Sequence, residues 1–205
     1  MIRTINGIVI FGPSGIGKAT ICQELIKIEP ELFVPASSAT SREQKEERHG
    51  KRYTCTTHEG FEKMIVNGAF LEWNKYPSKH ERGYHYYGTL RKDYEDMVSV
   101  GKVPLLDIDI NGMTQAKSIL KQQLYSIALA GQIEVVESRL RERGSESEDQ
   151  IRVRLETGQI ELGKYRDLKR VDIIDEIVWY GLGEEPEPTA RKIYEKIKSL
   201  LQTSA

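Results

Sequence analysis

The sequence predicts an α/β domain, a mostly parallel sheet flanked by helices, with one polar segment inserted into it and one short helical attachment. Three observations carry that prediction. A five-residue apolar run, Gly7–Phe11, leads into a glycine-rich turn and then into a helical pattern. Strand-like and helical runs then alternate along the chain, which is the pattern of βαβ units and a parallel sheet covered on both faces. Two stretches, 37–89 and 142–152, break the alternation and read as attachments to one core built from about 1–36, 90–141 and 153–205.

Taken in order, Gly7–Phe11 is a buried strand, and Ile21, Leu25, Ile26 and Ile28 give the helix after the turn its apolar face, with Pro30 as its stop. Phe33-Val34 reads as a short strand. From Ser37 to Thr57 the chain is dominated by Ser, Thr, Arg, Lys and Glu without apolar periodicity, so it is either a disordered loop or a binding subdomain. His58–Val66 reads as a helix stopped by Asn67-Gly68. Phe70–Tyr76 is a strand, Pro77–His85 a polar loop before Tyr86-Tyr87-Gly88-Thr89, and Leu90–Val100 a helix ended by Gly101. Val103–Asp109 is a second buried strand, apolar until its carboxylates appear. Met113–Leu120 is helical, Tyr125–Leu129 a strand and Gln132–Arg143 a helix. Gly144–Asp149 is a polar turn with good N-cap residues, opening onto a helix over Gln150–Tyr165. Ile173–Tyr180 holds the last strand. The loop Gly181–Pro188 and an amphipathic helix to Leu201 complete the chain.

The turn after the first strand is Gly12-Pro13-Ser14-Gly15-Ile16-Gly17-Lys18, the spacing G-x-x-x-x-G-K of a P-loop. Its glycines let successive N–H groups turn inward around phosphate oxygens, and the following helix N-terminus adds partial positive charge at the same point. Lys18 is placed to reach the outer phosphates as a point charge. Ala19 stands where Ser or Thr is usual, with Thr20 next, so the phosphate site is better defined than a metal site. The competing reading is an ordinary glycine-rich strand–helix turn.

Composition sets bounds on the rest. The 205 residues fit one domain with a sizeable core, and 39% hydrophobic with 30% charged residues is the ordinary range of globular proteins. Thirty basic against 31 acidic residues leave a net charge of −1, which points to neither nucleic acid nor a membrane surface. Cys22 and Cys55 lie far apart without metal-ligand spacing and read as reduced thiols. With no bilayer-length apolar run and no secretory pattern near Arg3, a cytoplasmic protein is expected.

Ligands of open α/β sheets bind beyond the carboxyl ends of the strands. Asp107 and Asp109 stand at such an end, on one side by strand alternation, as Mg²⁺ ligands, as acceptors for a ligand N–H, or simply as helix caps. Arg139, Arg143 and Arg154 lie on the helices flanking Gly144–Asp149, and Arg139 and Arg143 share a helix face. They are either the tip of a mobile lid or a solvated face paired with Glu137, Glu142, Glu146 and Glu148. Beside a P-loop, arginines carried in on closure suit phosphoryl transfer. In the insertion, Ser38, Arg42, Lys45, Arg48, Tyr53, Tyr87 and Thr89 supply hydroxyls and cations able to hold a phosphate. Glu72, framed by Phe70-Leu71 and Trp73, could accept a pair of N–H bonds from a guanine, although an exposed strand Glu is the commoner case. His49, His58, His80 and His85 show no metal spacing and read as surface residues.

Together these residues resemble the guanylate kinase family over nearly the whole chain. The resemblance rests on the P-loop, Ser38-Ala-Thr-Ser-Arg42, Gly50-Lys-Arg-Tyr53, Phe70-Leu-Glu-Trp73, Tyr86-Tyr-Gly-Thr89, Leu106-Asp-Ile-Asp-Ile-Asn-Gly112 and Arg139-Leu-Arg-Glu-Arg-Gly-Ser-Glu-Ser-Glu148. It implies a P-loop core, a GMP-binding subdomain at about 37–89 and a helical lid at about 142–152. It implies ATP-dependent phosphorylation of GMP and dGMP with Mg²⁺, ATP as donor, no nucleic-acid or membrane partner, and a monomer or homodimer. By position, the resemblance assigns Gly12, Pro13, Ser14, Gly15, Ile16, Gly17, Lys18, Ala19 and Thr20 to ATP, and Ser38, Glu72, Thr89 and Asp109 to guanine. Arg42, Tyr53, Tyr87 and either Lys45 or Arg48 fall to the GMP phosphate. Lys18, Arg42, Arg139, Arg143 and Arg154 fall to catalysis, and Asp107 to the metal, largely through water. This chain departs from the family pattern at Ala19, in being one residue short between Arg42 and Tyr53, in a longer Pro77–His85 loop, and at Trp179-Tyr180-Gly181, where an Asn is usual. A scaffold module that binds phosphopeptides and a P-loop kinase of a phosphorylated sugar are the other classes to separate by experiment.

Overall fold

The computed structural model describes residues 5–42, 53–78, 80–144 and 147–201. His49, Lys45 and Arg48 lie outside the described residues, and so does the side chain of Arg143. In chain order the first half comprises β1 (Gly7–Phe11), α1 (Lys18–Ile28), β2 (Phe33–Pro35), β3 (Ser38–Thr40), β4 (Tyr53–Cys55), α2 (His58–Val66), β5 (Phe70–Pro77) and β6 (Tyr84–Leu90). The second half comprises α3 (Arg91–Ser99), β7 (Val103–Ile108), α4 (Ile110–Leu120), β8 (Leu124–Ala130), α5 (Ile133–Arg143), α6 (Glu148–Arg170), β9 (Glu176–Trp179) and α7 (Pro186–Leu201).

Five strands make a sheet in the order β2-β7-β1-β8-β9, and every neighbouring pair is parallel. Central β1 is buried along its whole length, which is why it reads as a continuous apolar run rather than an alternating one. Its side chains divide between two layers. Ile8 and Ile10 join Ile21 and Leu25 of α1 and Ile193 and Ile197 of α7, whereas Val9 and Phe11 join Met113 and Ala116 of α4 and Tyr165 of α6. The mostly parallel, helix-flanked sheet expected from the sequence is therefore present.

A second sheet, in the order β4-β3-β6-β5, forms between β2 and α3. Only β3 and β4 pair in parallel; β3–β6 and β5–β6 are antiparallel. α2 closes one face of it, with the Phe61 ring stacked 4.4 Å from Phe70 and 4.8 Å from Tyr86. Much of the expected loop Pro77–His85 is hairpin: Pro77 pairs with Tyr84 and Tyr76 with His85.

The histidines depart from expectation. His58 is buried, donates from Nε2 to the Tyr84 carbonyl at 2.9 Å, and stacks on His80 with ring centroids 4.3 Å apart. His85 lies 5.7 Å from His58 and 5.1 Å from His80, so the three fill the junction between α2 and the β5–β6 hairpin. Polarity predicted exposure; aromatic packing across strands decided otherwise.

Two helix starts also differ. Asp109 caps α4, accepting from the Gly112 N–H at 2.8 Å, so the helix begins at Ile110 and the strand stops at Ile108. α6 starts at Glu148 because Ser147 and Gln150 form a reciprocal capping box, and it runs without a break to Arg170. Cys22 and Cys55 form no disulfide, and among the described residues no helix is long and apolar enough to cross a membrane.

Candidate active site

The P-loop leaves β1 at its carboxyl end, and Gly15 and Gly17 hold φ of +91° and +106°, a region closed to most side chains. Space closes it too: a Cβ on Gly15 would lie 2.9 Å from Leu140 Cγ, and one on Gly17 2.6 Å from Tyr180 Cε1. Helix α5 and the segment after β9 thus press directly on the loop. Gly17 caps α1 without a side-chain hydrogen bond, and no acidic residue occupies the first turn, where Ala19 and Thr20 follow Lys18. Those N–H groups remain available to an anion.

Lys18 folds back along the loop, its Nζ donating to the Gly12 carbonyl at 2.6 Å and the Pro13 carbonyl at 3.1 Å. Burial pushes its pKa below the ordinary lysine value, and the carboxylates of Glu161, Asp107 and Asp109 and the Cys22 thiol oppose that shift. Arg139 donates from Nη1 to the Ile16 carbonyl at 2.7 Å and lies over the Tyr180 ring, 4.5 Å from its centroid. Arg154 donates to Ser14 Oγ. Two of the three arginines singled out from the sequence thus already contact the loop.

Asp107 lies beside Ile10 in the β1–β7 register, two residues before Gly12. Asp109 turns toward the second sheet. It accepts from Asn74 Nδ2 at 3.1 Å and from Tyr76 Oη at 2.6 Å, besides capping α4. Asp109 therefore does the work of a helix cap while lying where the two sheets meet. Partial burial first, and the Asp109 carboxylate after it, push the Tyr76 hydroxyl pKa upward.

The expectation of a surface position for Glu72 fails. Glu72 is only 5% exposed, and its Oε1 accepts from Thr89 N at 2.9 Å and Thr89 Oγ1 at 2.6 Å. The cause is pairing distant in sequence: β5 sets Glu72 opposite Thr89, and β3 sets Ser38 opposite the same residue. Gly112 completes the niche, since a Cβ there would lie 2.7 Å from Glu72 Oε2. Glu72 and Asp109 thus meet the first turn of α4, with Thr89 and Ser38 on the adjoining strands of the second sheet. Tyr87 stands two residues before Thr89 on β6, with its ring 6.4 Å from Tyr53 and 5.5 Å from Tyr76. Arg42 is exposed, its backbone N–H held by Thr40 Oγ1 at 3.1 Å.

Sequence reasoning missed four residues here. Asn74 and Tyr76 were hidden because their partner, Asp109, is distant in sequence. Tyr180 was noted only as a departure from a pattern. Glu161 is buried on α6, accepts from Tyr165 Oη at 3.1 Å, and carries a pKa raised chiefly by burial. Its signal was present in the spacing: Arg154, Gly158, Glu161 and Tyr165 recur at helical intervals on one face of α6.

Beside Arg139, a cleft of about 470 Å³ lies between α5 and the segment after β9, lined by Gln132, Val135 and Leu182.

Comparisons with known proteins bear on the family and the fold. The family model described as guanylate kinase matches residues 4–179. A guanylate kinase of Carboxydothermus hydrogenoformans is 37% identical over 149 residues, 73% of this chain and 70% of that protein. One from Caldanaerobacter subterraneus subsp. tengcongensis is 35% identical over 170 residues, covering 83% of this chain and 80% of its own. Among solved structures, the guanylate kinase from Anaplasma phagocytophilum superimposes with a TM-score of 0.67 at 22% identity, covering 98% of this chain and 89% of that one, a likeness of fold. With the family model spanning most of the sequence and a P-loop facing a second sheet across Asp109, the chain belongs to the guanylate kinase family.

Proposed function

We propose that this protein transfers the terminal phosphoryl group of ATP to GMP, and to dGMP, giving ADP and GDP or dGDP. The observation that carries the reading is Asp109. One carboxylate at the end of β7 lies within the electrostatic reach of Lys18 and also holds Asn74 and Tyr76 of the second sheet, so donor and acceptor sites would share one boundary. In this reading 37–89 is the GMP-binding subdomain and 142–152 the lid.

The P-loop N–H groups and Lys18 bind the ATP phosphates, and the adenine lies in the cleft beside Arg139 and Leu182. Glu72, Ser38, Thr89 and Asp109 hold guanine; Arg42, Tyr53 and Tyr87, with Lys45 or Arg48, hold its phosphate. Glu72 recognises guanine because a carboxylate matches the adjacent N1–H and amino donors, a pair that adenine lacks. Catalysis is positioning together with charge neutralisation by Lys18, Arg42, Arg139, Arg143 and Arg154, with closure excluding water. Asp107 offers a hard oxygen donor near the P-loop, and among the described residues no group of three or more His, Cys, Asp or Glu gathers to cage a metal. That donor set suits Mg²⁺ held mainly by substrate phosphates and through water. When bound, the ion neutralises phosphate charge. The protein works in the cytoplasm as a monomer or homodimer.

The test is ADP release with GMP, dGMP, AMP, CMP or no acceptor, for the wild type and Lys18→Met. Activity confined to GMP and dGMP, and lost in a folded Lys18→Met variant, is the expected result. Silence with every acceptor would replace this reading with a phosphopeptide-binding scaffold, and near-normal turnover of Lys18→Met would refute the assigned roles.

A further inference from the structure

Glu72, Asn74 and Tyr76 stand in a row along one face of β5, placed there by strand alternation. Register carries that face onto the neighbouring strands. Glu72 pairs with Thr89 and Asn74 with Tyr87 on β6, and Ser38 of β3 pairs with Thr89. Ser38, Glu72, Tyr87 and Thr89 all belong to the GMP site proposed above, whereas Asn74 and Tyr76 lie among them without a role in it. The row meets the start of α4. Glu72 presses on Gly112, Asn74 and Tyr76 both donate to Asp109, and Gln115 further along α4 bonds to Trp73 N at 3.2 Å and Trp73 O at 3.1 Å.

The two oxygens of Asp109 are held by different partners. Oδ1 accepts from the Gly112 N–H at 2.8 Å, as the cap of α4, and from Asn74 Nδ2 at 3.1 Å. A cap fixes one oxygen only, and the terminal torsion of an aspartate is broad, so the other oxygen needs a holder of its own. Tyr76 Oη supplies it, donating to Oδ2 at 2.6 Å, the short distance of a charge-assisted bond, with Asn74 Nδ2 3.4 Å from the same oxygen. An ionised carboxylate offers about four acceptor positions, so these donors orient Asp109 and still leave room on Oδ2 for an N–H of a base. Tyr76 is itself held. Its ring meets Tyr87 edge to face at 5.5 Å, and Tyr87 meets Tyr53 in the same way at 6.4 Å. The tyrosines assigned to the phosphate of GMP thus buttress the ring whose hydroxyl orients the acceptor for its base.

We infer that Tyr76 and Asn74 are positioning residues for guanine recognition: they hold the Asp109 carboxylate in the orientation in which Oδ2 accepts from the base, and so set the affinity for GMP. The inference rests on Asp109 as a guanine acceptor. Both residues act through Asp109. The physical gain is preorganisation, since a carboxylate already fixed in the free protein loses little freedom when the base arrives. Tyr76 is 38% exposed, so removing its hydroxyl opens no void in the core.

The experiment is calorimetric titration with GMP, and separately with ATP, of the wild type, Tyr76→Phe, Asn74→Ala, Asp109→Asn and Tyr76→Phe/Asp109→Asn. Binding is read without turnover. Phenylalanine keeps the ring against Tyr87 and removes only the hydroxyl, and asparagine at 109 keeps a good helix cap while removing the charge. Tyr76→Phe is expected to weaken GMP binding by about three- to tenfold and Asn74→Ala by about twofold or more, with ATP affinity within about twofold of the wild type. In the Asp109→Asn protein, where Glu72, Thr89 and the phosphate contacts still bind GMP, Tyr76→Phe should add less than about twofold, because its partner is gone. Unchanged or tighter GMP binding by Tyr76→Phe overturns the inference, tighter binding making the hydroxyl a competitor for Asp109. So does the same fold-loss with and without the Asp109 carboxylate, or an equal loss for ATP, either of which makes Tyr76 structural. If Tyr76→Phe does not fold, the same cycle with Asn74→Ala decides on the same criteria. Wild-type GMP affinity in Asp109→Asn refutes the assignment of Asp109 to guanine, a different outcome from a weakened Asp109→Asn beside an unaffected Tyr76→Phe.

Discussion

Gly112→Ala adds one methyl group at the junction of the two sheets, and its effect can be worked from distances. The new Cβ would stand 2.7 Å from Glu72 Oε2, 3.2 Å from Glu72 Cδ and 3.3 Å from Ile108 Cβ. The first is about 0.7 Å short of an ordinary van der Waals contact. A free glutamate would swing aside. Glu72 cannot do so without strain, because its other oxygen is held by Thr89 N and Oγ1. Alanine in a helix gains up to about 1 kcal/mol over glycine. Disturbing a hydrogen bond to a buried carboxylate costs about 1.5–3 kcal/mol. The net is a loss of roughly 1–2 kcal/mol, or a fall in Tm of about 2–8 °C for a chain of this size. The same displacement misplaces the proposed guanine acceptor, so the KM for GMP should rise by about tenfold while that for ATP stays within about twofold. Calorimetry and a coupled ADP-release assay read both. Unchanged Tm together with unchanged KM for GMP would refute the argument that Glu72 is fixed.

Other perturbations address different parts of the molecule. Asp175 accepts from Lys117 Nζ at 2.7 Å, Ser126 N at 2.8 Å and Ser126 Oγ at 2.7 Å in a nearly buried cluster. Asp175→Ala strands a cation there and should lower stability by about 3–5 kcal/mol in chemical denaturation, with specific activity of the folded fraction little changed. His85 has its pKa lowered by burial first, then by His80, His58 and Arg42. Its folded value lies below its unfolded one, so its contribution to stability is present above the ordinary histidine value of 6.5 and is lost as pH falls below it. Melting curves from pH 7.5 to about 5 should therefore fall more steeply for the wild type than for His85→Asn, and parallel curves would count against this.

What could be read from the sequence was what is local. The P-loop is seven contiguous residues, and the buried run of β1, the stop at Asn67-Gly68 and the polar turn Gly144–Asp149 are equally short-range. Arg139 and Arg154 were legible because helical spacing near a phosphate loop is itself a signal. For Glu72 residue statistics alone favoured the surface and only the family resemblance pointed inward, because its burial depends on pairing with β6 and on Gly112, forty positions away. Asp109 was placed by strand alternation, but a helix cap overrode the strand. His58 was assigned to the surface on polarity, and stacking against His80 reversed that. Glu161 went unnoticed because its helical spacing with Arg154, Gly158 and Tyr165 gains meaning only once that face of α6 is known to lie on the P-loop.

The strand order has a consequence for how the molecule assembles. Ile8 pairs with Leu105 and with Tyr125, so the first strand synthesised has no partner until about half of the chain exists. The second sheet needs only 38–90, and its β5–β6 hairpin is closed by a short turn. Loop-closure entropy therefore favours the inserted sheet forming early, while the stretch Gly7–Phe11, apolar throughout, waits exposed. Pulsed hydrogen exchange during refolding should protect the amides of Trp73 and Gly88 before those of Val9 and Ile10; the reverse order would show that β1 finds its neighbours first.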